Sequence, residues 1–376
     1  MLRALWPFVV GSVALGLDAY VIAGLLPVIA SDLGTSEAIV GLGVTAFTGA
    51  YAASGPLLSG SAGIHAQRSL FISILMFSLA NIATAMSPSA LVFIGTRVVA
   101  GAAAGVYSPL SSAVAAATVS AEQKGRALSL VLAGLALGTV LGVPVGLVVA
   151  DIWGWRSTIA MISFVGVVAL VGIGIFGRSD LPLIPSSTLG QRLLVVARPE
   201  NLFTVLVTLF VGIASLGLYT YVSVLLEKSH FSEISGIWMW GLGGALGAFG
   251  IGRVLDQWGK PRKLTGLILG SLVFVYSLLL IFLSVPGVVG VCLFAWGVLG
   301  WASLAPQQHT LLSTNEQDGA TAVAANASAN YLGAAIGSAL GAIVSQSPTG
   351  LLVGALTAVA MGAVCHMTAS KLSVAK

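Results

Sequence analysis

The chain has 376 residues, of which 57% are hydrophobic and only 7% charged; its 16 basic and 12 acidic residues leave a net charge of +4. Soluble domains carry about a quarter charged residues. The composition therefore excludes that class, and with it a disordered chain, a disulfide-built secreted scaffold and a nucleic-acid binder.

A membrane span takes about 20 mainly apolar residues, and twelve runs of that kind follow one another along the chain. The first six cover 5–30, 39–62, 69–87, 90–117, 126–150 and 157–176; the second six cover 201–226, 236–255, 263–283, 287–314, 321–344 and 349–369. Arg3 followed by an apolar run could suggest a signal peptide. Asp18 interrupts that run and no clear small-x-small cleavage site follows, so it reads as a retained first helix. The longest polar stretch, 177–200, holds Arg178, Asp180, Pro182, Pro185, Arg192, Arg198, Pro199 and Glu200. It is the expected cytoplasmic linker between two bundles, 1–176 and 201–376. The fold class expected is an all-α membrane protein of twelve helices in two pseudo-symmetric six-helix bundles.

With the N-terminus inside, the cytoplasmic side receives Arg3, Arg68, Lys124, Arg126, Arg178, Arg192, Arg198, Arg253, Lys260, Arg262, Lys263, Lys371 and Lys376. The outer side receives only Arg156 and Lys228. This asymmetry predicts that both termini are cytoplasmic. Trp6, Trp153, Trp155, Trp238 and Trp258 fall near span ends, where aromatic side chains favour the interface. Cys292 and Cys365 sit in apolar runs with neither metal spacing nor a disulfide pattern. No cofactor or metal is expected.

The halves match each other. ALGLDAYV (14–21) in the first helix pairs with SLGLYTYV (215–222) in the seventh. The loop from Gly60 to Arg68 pairs with that from Gly252 to Lys260, and Gly138, Gly142 and Gly146 pair with Gly333, Gly337 and Gly341. The order is consistent, which argues for a duplicated six-helix unit. Paired halves with a solute site near the midplane recur among transporters. Glycines four residues apart give a helix a smooth face for close packing. Gly134, Gly138, Gly142 and Gly146 form such a stripe around Pro144, and Gly101 and Gly105 form a shorter one. Each stripe serves either plain packing or a seam on which helices rock.

Several segments carry a family likeness: LGLDAYVIAGLLPVIASDLG (15–34), TRVVAGAAAGVYSP (96–109), the fifth helix from Gly134 to the GWR ending at Arg156, APQQ (305–308) and NASANYLGAAIGSALG (326–341). Together they resemble the major facilitator superfamily, in its twelve-helix drug:proton antiporter branch, and the arabinose- and purine-efflux-like permeases. The resemblance implies a secondary transporter of the inner membrane and an export direction. It also implies a loop between helices two and three that latches the outward-facing state by charge. Here that loop, GSAGIHAQR (60–68), has Ile64 at the family's aspartate position and keeps only Arg68, while the second copy, GRVLDQWGK (252–260), retains Asp256. The second latch is the one expected to work.

Asp18 and Arg97 are the formally charged residues deep within predicted spans. Such a charge costs at least about 2.5–3.5 kcal/mol to insert, so it faces a cavity or a partner. Asp18 lies 14 residues before Asp32 and Arg97 nine residues after Pro88. These spacings place them about 20 and 13 Å from the outer surface at about 1.5 Å per residue. Pairing is possible at those depths. Asp18 is the candidate proton carrier; the alternatives are a static tie to Arg97 or a solute ligand. For Arg97 a structural clamp on the first helix stands beside a proton role. The repeat puts Tyr219 at the position of Asp18. His309 reads as an interfacial polar group, and His65, His230 and His366 receive no role.

Candidates for the solute cavity are Tyr20, Tyr51, Tyr107, Tyr219, Tyr221, Trp296, Trp301, Gln307, Asn326, Asn330 and Tyr331. Asn326 and Asn330 share a helix face, where they contact solute or a neighbouring helix. With one acid and one base within the spans, a neutral, zwitterionic or amphipathic solute is expected: a sugar, nucleoside, drug or other small metabolite. The expected partners are that solute, protons and membrane lipid, with the chain a monomer that binds no nucleic acid. An enzyme is disfavoured because HExxH, paired membrane aspartates and a Ser–His pair on one helix face are missing. A channel is disfavoured because no selectivity-filter loop is visible. An uncoupled facilitator or importer, and a non-transporting sensor, remain the alternatives.

Overall fold

The computed structural model describes residues 2–62, 66–119, 124–176, 189–315 and 319–374. The chain divides into two compact units, Met1–Leu189 and Gly190–Lys376, with the division inside the polar stretch 177–200. Residues 177–188 of that stretch, and the Ile64 position, lie outside the described residues.

In the first unit, α1 (Leu2–Val21) runs through a 3-10 turn (Ile22–Leu25) into α2 (Leu26–Asp32). Then come α3 (Glu37–Ala62), α4 (Ala66–Ala85) and α5 (Ala90–Ala117). α6 (Lys124–Leu137) passes through a π turn (Gly138–Gly142) into α7 (Val143–Trp153), followed by α8 (Trp155–Phe176). The division falls at the first residue of α9 (Leu189–Ala197), within the segment read as linker, and the rest of α9 opens the second unit. α10 (Pro199–Gly212) continues through a π turn (Ile213–Gly217) towards α11 (Val222–Ser229). α12 (Glu233–Trp258), α13 (Pro261–Phe282), α14 (Pro286–Ala302), α15 (Leu304–Thr314), α16 (Gly319–Ile343) and α17 (Pro348–Val374) complete it.

The helix ends follow local chemistry. Ser89 and Ser232 cap α5 and α12 by accepting a backbone N–H, as short hydroxyl side chains do at N-caps. Prolines open α10, α13 and α14, where their missing N–H costs nothing. Gly154 (φ 84°) and Gly259 (φ 57°) stop α7 and α12 in backbone regions that favour glycine. Three of the interruptions within spans also have a local cause. The 3-10 turn precedes Pro27, the first π turn precedes Pro144, and the junction of α14 with α15 precedes Pro306. A proline inside a helix removes one hydrogen bond and crowds the carbonyl four residues earlier, and a tightened or widened turn relieves both.

Among the described residues, eleven stretches are long and apolar enough to cross a membrane. The remaining predicted span, 321–344, is the 25-residue helix α16, whose apolar content is diluted by Asn326, Asn330, Ser328 and Ser338. It packs along α10 and its π turn. Leu91, Phe164, Ile175, Phe274, Ile281 and Ile343 stand exposed on the units, as side chains that meet lipid do. α9 holds to the second unit through buried Val195, which joins a cluster with Val205, Leu311, Ala322 and Ala329.

The two units use the same close packings. In the first, Gly101 lies against the Phe47 carbonyl and Gly105 against that of Tyr51, bringing α5 onto α3. In the second, Gly297 lies against the Trp240 carbonyl and Gly243 against that of Phe294, bringing α14 onto α12. Likewise Gly134 and Gly138 meet the carbonyls of Val9 and Val13 on α1, while Gly333 and Gly337 meet those of Leu209 and Ile213. No side chain larger than hydrogen fits at these contacts, so the glycine periodicity is a packing code for helix pairs.

Candidate functional site

In the first unit, four helices converge on one charge pair. Asp18 on α1 and Arg97 on α5 are 0% and 1% exposed. Arg97 Nη1 donates to Asp18 Oδ1 at 2.7 Å and to Asn81 Oδ1 at 3.3 Å. Its Nη2 donates to the Asp18 backbone carbonyl at 3.4 Å. Asn81 on α4 donates from Nδ2 to Asp18 Oδ2 at 3.3 Å and to the Phe77 carbonyl at 3.1 Å. The Arg97 guanidinium carbon lies 4.3 Å from the centroid of the Phe47 ring on α3, within cation–π range. Both carboxylate oxygens accept hydrogen bonds, and the charged donor is the closest. This arrangement suits an ionised acid.

The helix carrying Asp18 is itself closely held. Val13 and Leu17 are the α1 residues against which Gly138 and Gly142 rest, and Gly146 meets Val21 and Thr158. Pro144 is buried in the first turn of α7. The Thr139 hydroxyl donates to the Leu135 carbonyl at 3.0 Å and reaches that of Gly16 at 3.4 Å. Gly138, Gly142, Pro144 and Gly146 thus bear on the backbone beside the acid. Further along, Asp32 accepts from Arg156 and from Trp155 Nε1, and Arg156 also donates to the Ser87 carbonyl. That pair is about two-fifths exposed. Trp155, expected near a span end, is buried, its ring edge to face with Phe93 at 6.1 Å and covered by the Arg156 guanidinium at 4.5 Å.

The three tyrosines predicted for this half have separate settings. Tyr20 is buried, and Tyr51 is partly buried with its backbone carbonyl against Gly105. The Tyr107 hydroxyl points at the carbonyls of Pro7 and Phe8, 3.4 Å from each, through space that a side chain on Gly11 would fill.

In the second unit, the residue matching Asp18 stands in a cluster of rings. Tyr219 stacks on Trp240 at 3.9 Å between centroids and 25° between planes. Trp296 meets Tyr219, Trp240 and Tyr276 edge to face, at 6.4, 6.2 and 5.7 Å. Trp301 meets Trp240 at 6.3 Å. Trp296 Nε1 donates to Ser215 Oγ at 2.8 Å and the Tyr276 hydroxyl to the Ala214 carbonyl at 3.0 Å. These bonds fix two rings against the π turn. Trp240 takes the register of Phe47, since each gives its carbonyl to a glycine on the partner helix.

A polar group in the same unit is built from α10, α15 and α16. Thr208 bonds Gln307 and, at 2.6 Å, Asn326, while Gln307 Nε2 donates to the Ser303 carbonyl at 3.0 Å. One hydroxyl has one proton. Gln307 is fixed by Ser303, so the network closes when Asn326 turns its NH2 to the Thr208 oxygen. The other end of the buried Asn326 carboxamide then has no hydrogen-bond partner among the described residues. Tyr221 donates to the Ser338 carbonyl at 2.8 Å. Asn330 is half-buried, with its carbonyl against Gly212, and Tyr331 is buried on α16.

The structure therefore joins Asp18 with Arg97, Tyr219 with Trp296, Trp240 with Trp301, and Gln307 with Asn326 through Thr208. Asn81, Phe47, Trp240, Thr208 and Tyr276 were not singled out from sequence. A lone Asn in an apolar helix such as SLANIATA is the one signal among these that could have been used. Arg68 is exposed at the start of α4, and the Asp256 side chain lies outside the described residues. Among the described residues, no group of three His, Cys, Asp or Glu side chains is placed to hold a metal.

Comparisons with known proteins agree with this architecture. An inner membrane transport protein, YdhP of Escherichia coli (strain K12), is 26% identical over 349 residues, covering 91% of this chain and 88% of its own. A probable sugar efflux transporter of Helicobacter pylori (strain ATCC 700392 / 26695) is 27% identical over 287 residues, covering 74% and 72%. Among solved structures, a bacterial homologue of the human lysosomal transporter Spinster, inward-facing and unoccupied, aligns with a TM-score of 0.77 at 15% identity, over 98% of this chain and 96% of that one. The family model described as Major Facilitator Superfamily matches residues 8–338. The chain is a multi-pass membrane transporter and not an enzyme, and it belongs to the Major Facilitator Superfamily.

Proposed function

We propose that this chain is a proton-coupled exporter of the inner membrane, an antiporter with both termini in the cytoplasm, in which Asp18 carries the proton. The observation that carries the reading is the buried Asp18–Arg97–Asn81 clasp. A carboxylate enclosed in a span is a functional group by default. In the described state both of its oxygens are occupied as acceptors, so a proton enters only by displacing the Arg97 or the Asn81 bond. Protonation releases Arg97 from its counter-charge, and re-pairing expels the proton. Such an exchange converts proton binding into a change in how α1 is held against α4 and α5. Export is supported by the H. pylori relative, whose name describes efflux.

The second unit supplies the solute-facing chemistry. Its rings, Tyr219, Trp240, Trp296 and Trp301, and its amides, Gln307 and Asn326, carry no formal charge. They suit a neutral, zwitterionic or amphipathic solute such as a sugar, nucleoside or lipophilic drug, recognised by stacking and neutral hydrogen bonds.

The test is a proteoliposome assay. A thermal-shift screen of metabolite and drug panels first identifies a ligand that stabilises the purified protein. Its flux is then measured with and without an imposed pH gradient, together with a lumenal pH dye. Coupled transport by the wild type, and gradient-independent transport by Asp18→Asn, are expected. Gradient-independent flux in the wild type, with Asp18→Asn unchanged in rate, would leave the facilitator reading in which Asp18 is no proton carrier.

A further inference from the structure

We propose that the second unit carries a binding site for the phosphate-bearing headgroup of an anionic phospholipid, at the start of α13. A cavity of about 330 Å³ is lined there by Lys260, Arg262 and Lys263 together with Thr310, Ser313 and Thr314 from the last turns of α15. At about 30 Å³ per water it holds roughly ten waters, ample room for a phosphate and its ester groups. Three cations within four residues meet the first turn of a helix that opens with a proline. The backbone N–H groups of such a turn have no partner within the helix and favour an anion.

The hydroxyl-bearing Thr310, Ser313 and Thr314 line the same space. Each now donates back along its own helix, Thr310 to the Pro306 carbonyl at 2.8 Å, Ser313 and Thr314 to that of Thr310 at 3.0 and 2.9 Å. A hydroxyl rotates to whichever acceptor is stronger, and a phosphate oxygen is stronger than an amide carbonyl. Arg262 and Thr310 also line a narrow crevice that continues inward past Thr204, Thr265 and His366. Among the described residues no carboxylate lines the cavity; the side chains of Asp256, Glu316 and Asp318 lie outside them.

A second observation distinguishes a lipid from a free phosphate. Lys263 stands at the foot of an exposed apolar stripe on α13. Leu267, Phe274 and Ile281 are 56%, 64% and 70% exposed and follow at helical spacing. An acyl chain lying on that stripe puts its headgroup at the cations. The cavity is placed at the end of α13 that the charge asymmetry assigns to the cytoplasm, where the inner leaflet carries its anionic lipids. The inference is independent of proton coupling and of the solute.

The experiment uses the full chain in nanodiscs and in lipid-free detergent. Phosphatidylglycerol in a phosphatidylcholine background is expected to raise the unfolding temperature and to be retained in native mass spectra, unlike phosphatidylcholine alone. Lys260→Gln and Lys263→Gln, both at exposed positions, are each expected to weaken retention about fivefold, and Lys→Arg at either position to restore it. Arg253→Gln, an exposed cation elsewhere on this unit, is expected to leave retention unchanged. Equal retention by the Lys→Gln variants, an equal effect of Arg253→Gln, or equal stabilisation by phosphatidylcholine overturns the site. Stabilisation by inorganic phosphate alone in detergent, matching that of the lipid, overturns the lipid assignment.

Discussion

Arg97 reaches Asp18 at 2.7 Å while its guanidinium lies over the Phe47 ring, so one side chain joins α1, α3 and α5 across the interior of a bundle. Removing one partner of a buried ion pair costs about 3–5 kcal/mol, because the other charge is left unpaired. Arg97→Leu is therefore expected to lower the unfolding temperature strongly in detergent. Arg97→Leu combined with Asp18→Leu is expected to recover much of that loss. Strictly additive single and double variants, read by thermal unfolding, would show the pair to be uncoupled.

Asn81 completes the clasp from α4. With Asn81→Ala, Asp18 Oδ2 loses a donor and Arg97 an acceptor, and the expected cost is about 1–3 kcal/mol. The variant keeps the ion pair, so solute flux is expected to persist with an altered dependence on pH. Loss of all flux in a folded Asn81→Ala protein would show that the asparagine does more than position the acid.

The exposed pair is expected to behave differently. Arg156 and Asp32 are about two-fifths exposed, and pairs of that kind contribute about 0–1 kcal/mol. Arg156→Gln should change the unfolding temperature far less than Arg97→Leu. Its small effect should shrink further at high salt.

The glycine contacts make a positional prediction. A Cβ on Gly138 would collide with the Val13 carbonyl and lie 2.9 Å from the Leu17 amide, and one on Gly337 would lie 2.5 Å from the Ile213 carbonyl oxygen. Alanine at either position must separate two helices and is expected to reduce folded yield. Gly270, on the same kind of helix, has nothing within 4 Å of such a Cβ. Gly270→Ala is expected to be neutral or to stabilise by up to about 1 kcal/mol from helix propensity. Size-exclusion profiles and unfolding temperatures distinguish these outcomes.

Much of the fold was legible because lipid makes its demands locally. Each span shows as an apolar run, and each glycine stripe marks a close pair. The duplication is readable in ALGLDAYV against SLGLYTYV without any packing. α9 was not legible: its five-residue apolar run LLVVA sits between prolines and charges, and only Val195 reveals, by its burial, which face docks. The π turns escaped too, because a widened turn leaves no sign beyond a nearby proline, and that at Ile213–Gly217 lacks even this. At the site, Asp18 and Arg97 stood out through their insertion cost. Asn81 and Thr208 did not, since an uncharged polar side chain in a span is common and its partner lies far away in sequence. The ring cluster is half legible: Tyr219, Trp296 and Trp301 stand out as cavity candidates, while Trp240 reads as part of an ordinary apolar helix.

The replacement of Asp18 by Tyr219 at equivalent places in a doubled scaffold has a consequence for how such a machine can change. An acid locked into one lobe leaves the matching place in the other free of any electrostatic duty. Under the proton-coupled reading proposed above, substitutions among the rings there reshape what is carried while the acid that answers the ion gradient stays untouched. On that reading, cargo and energy source occupy separate inheritances within a single chain.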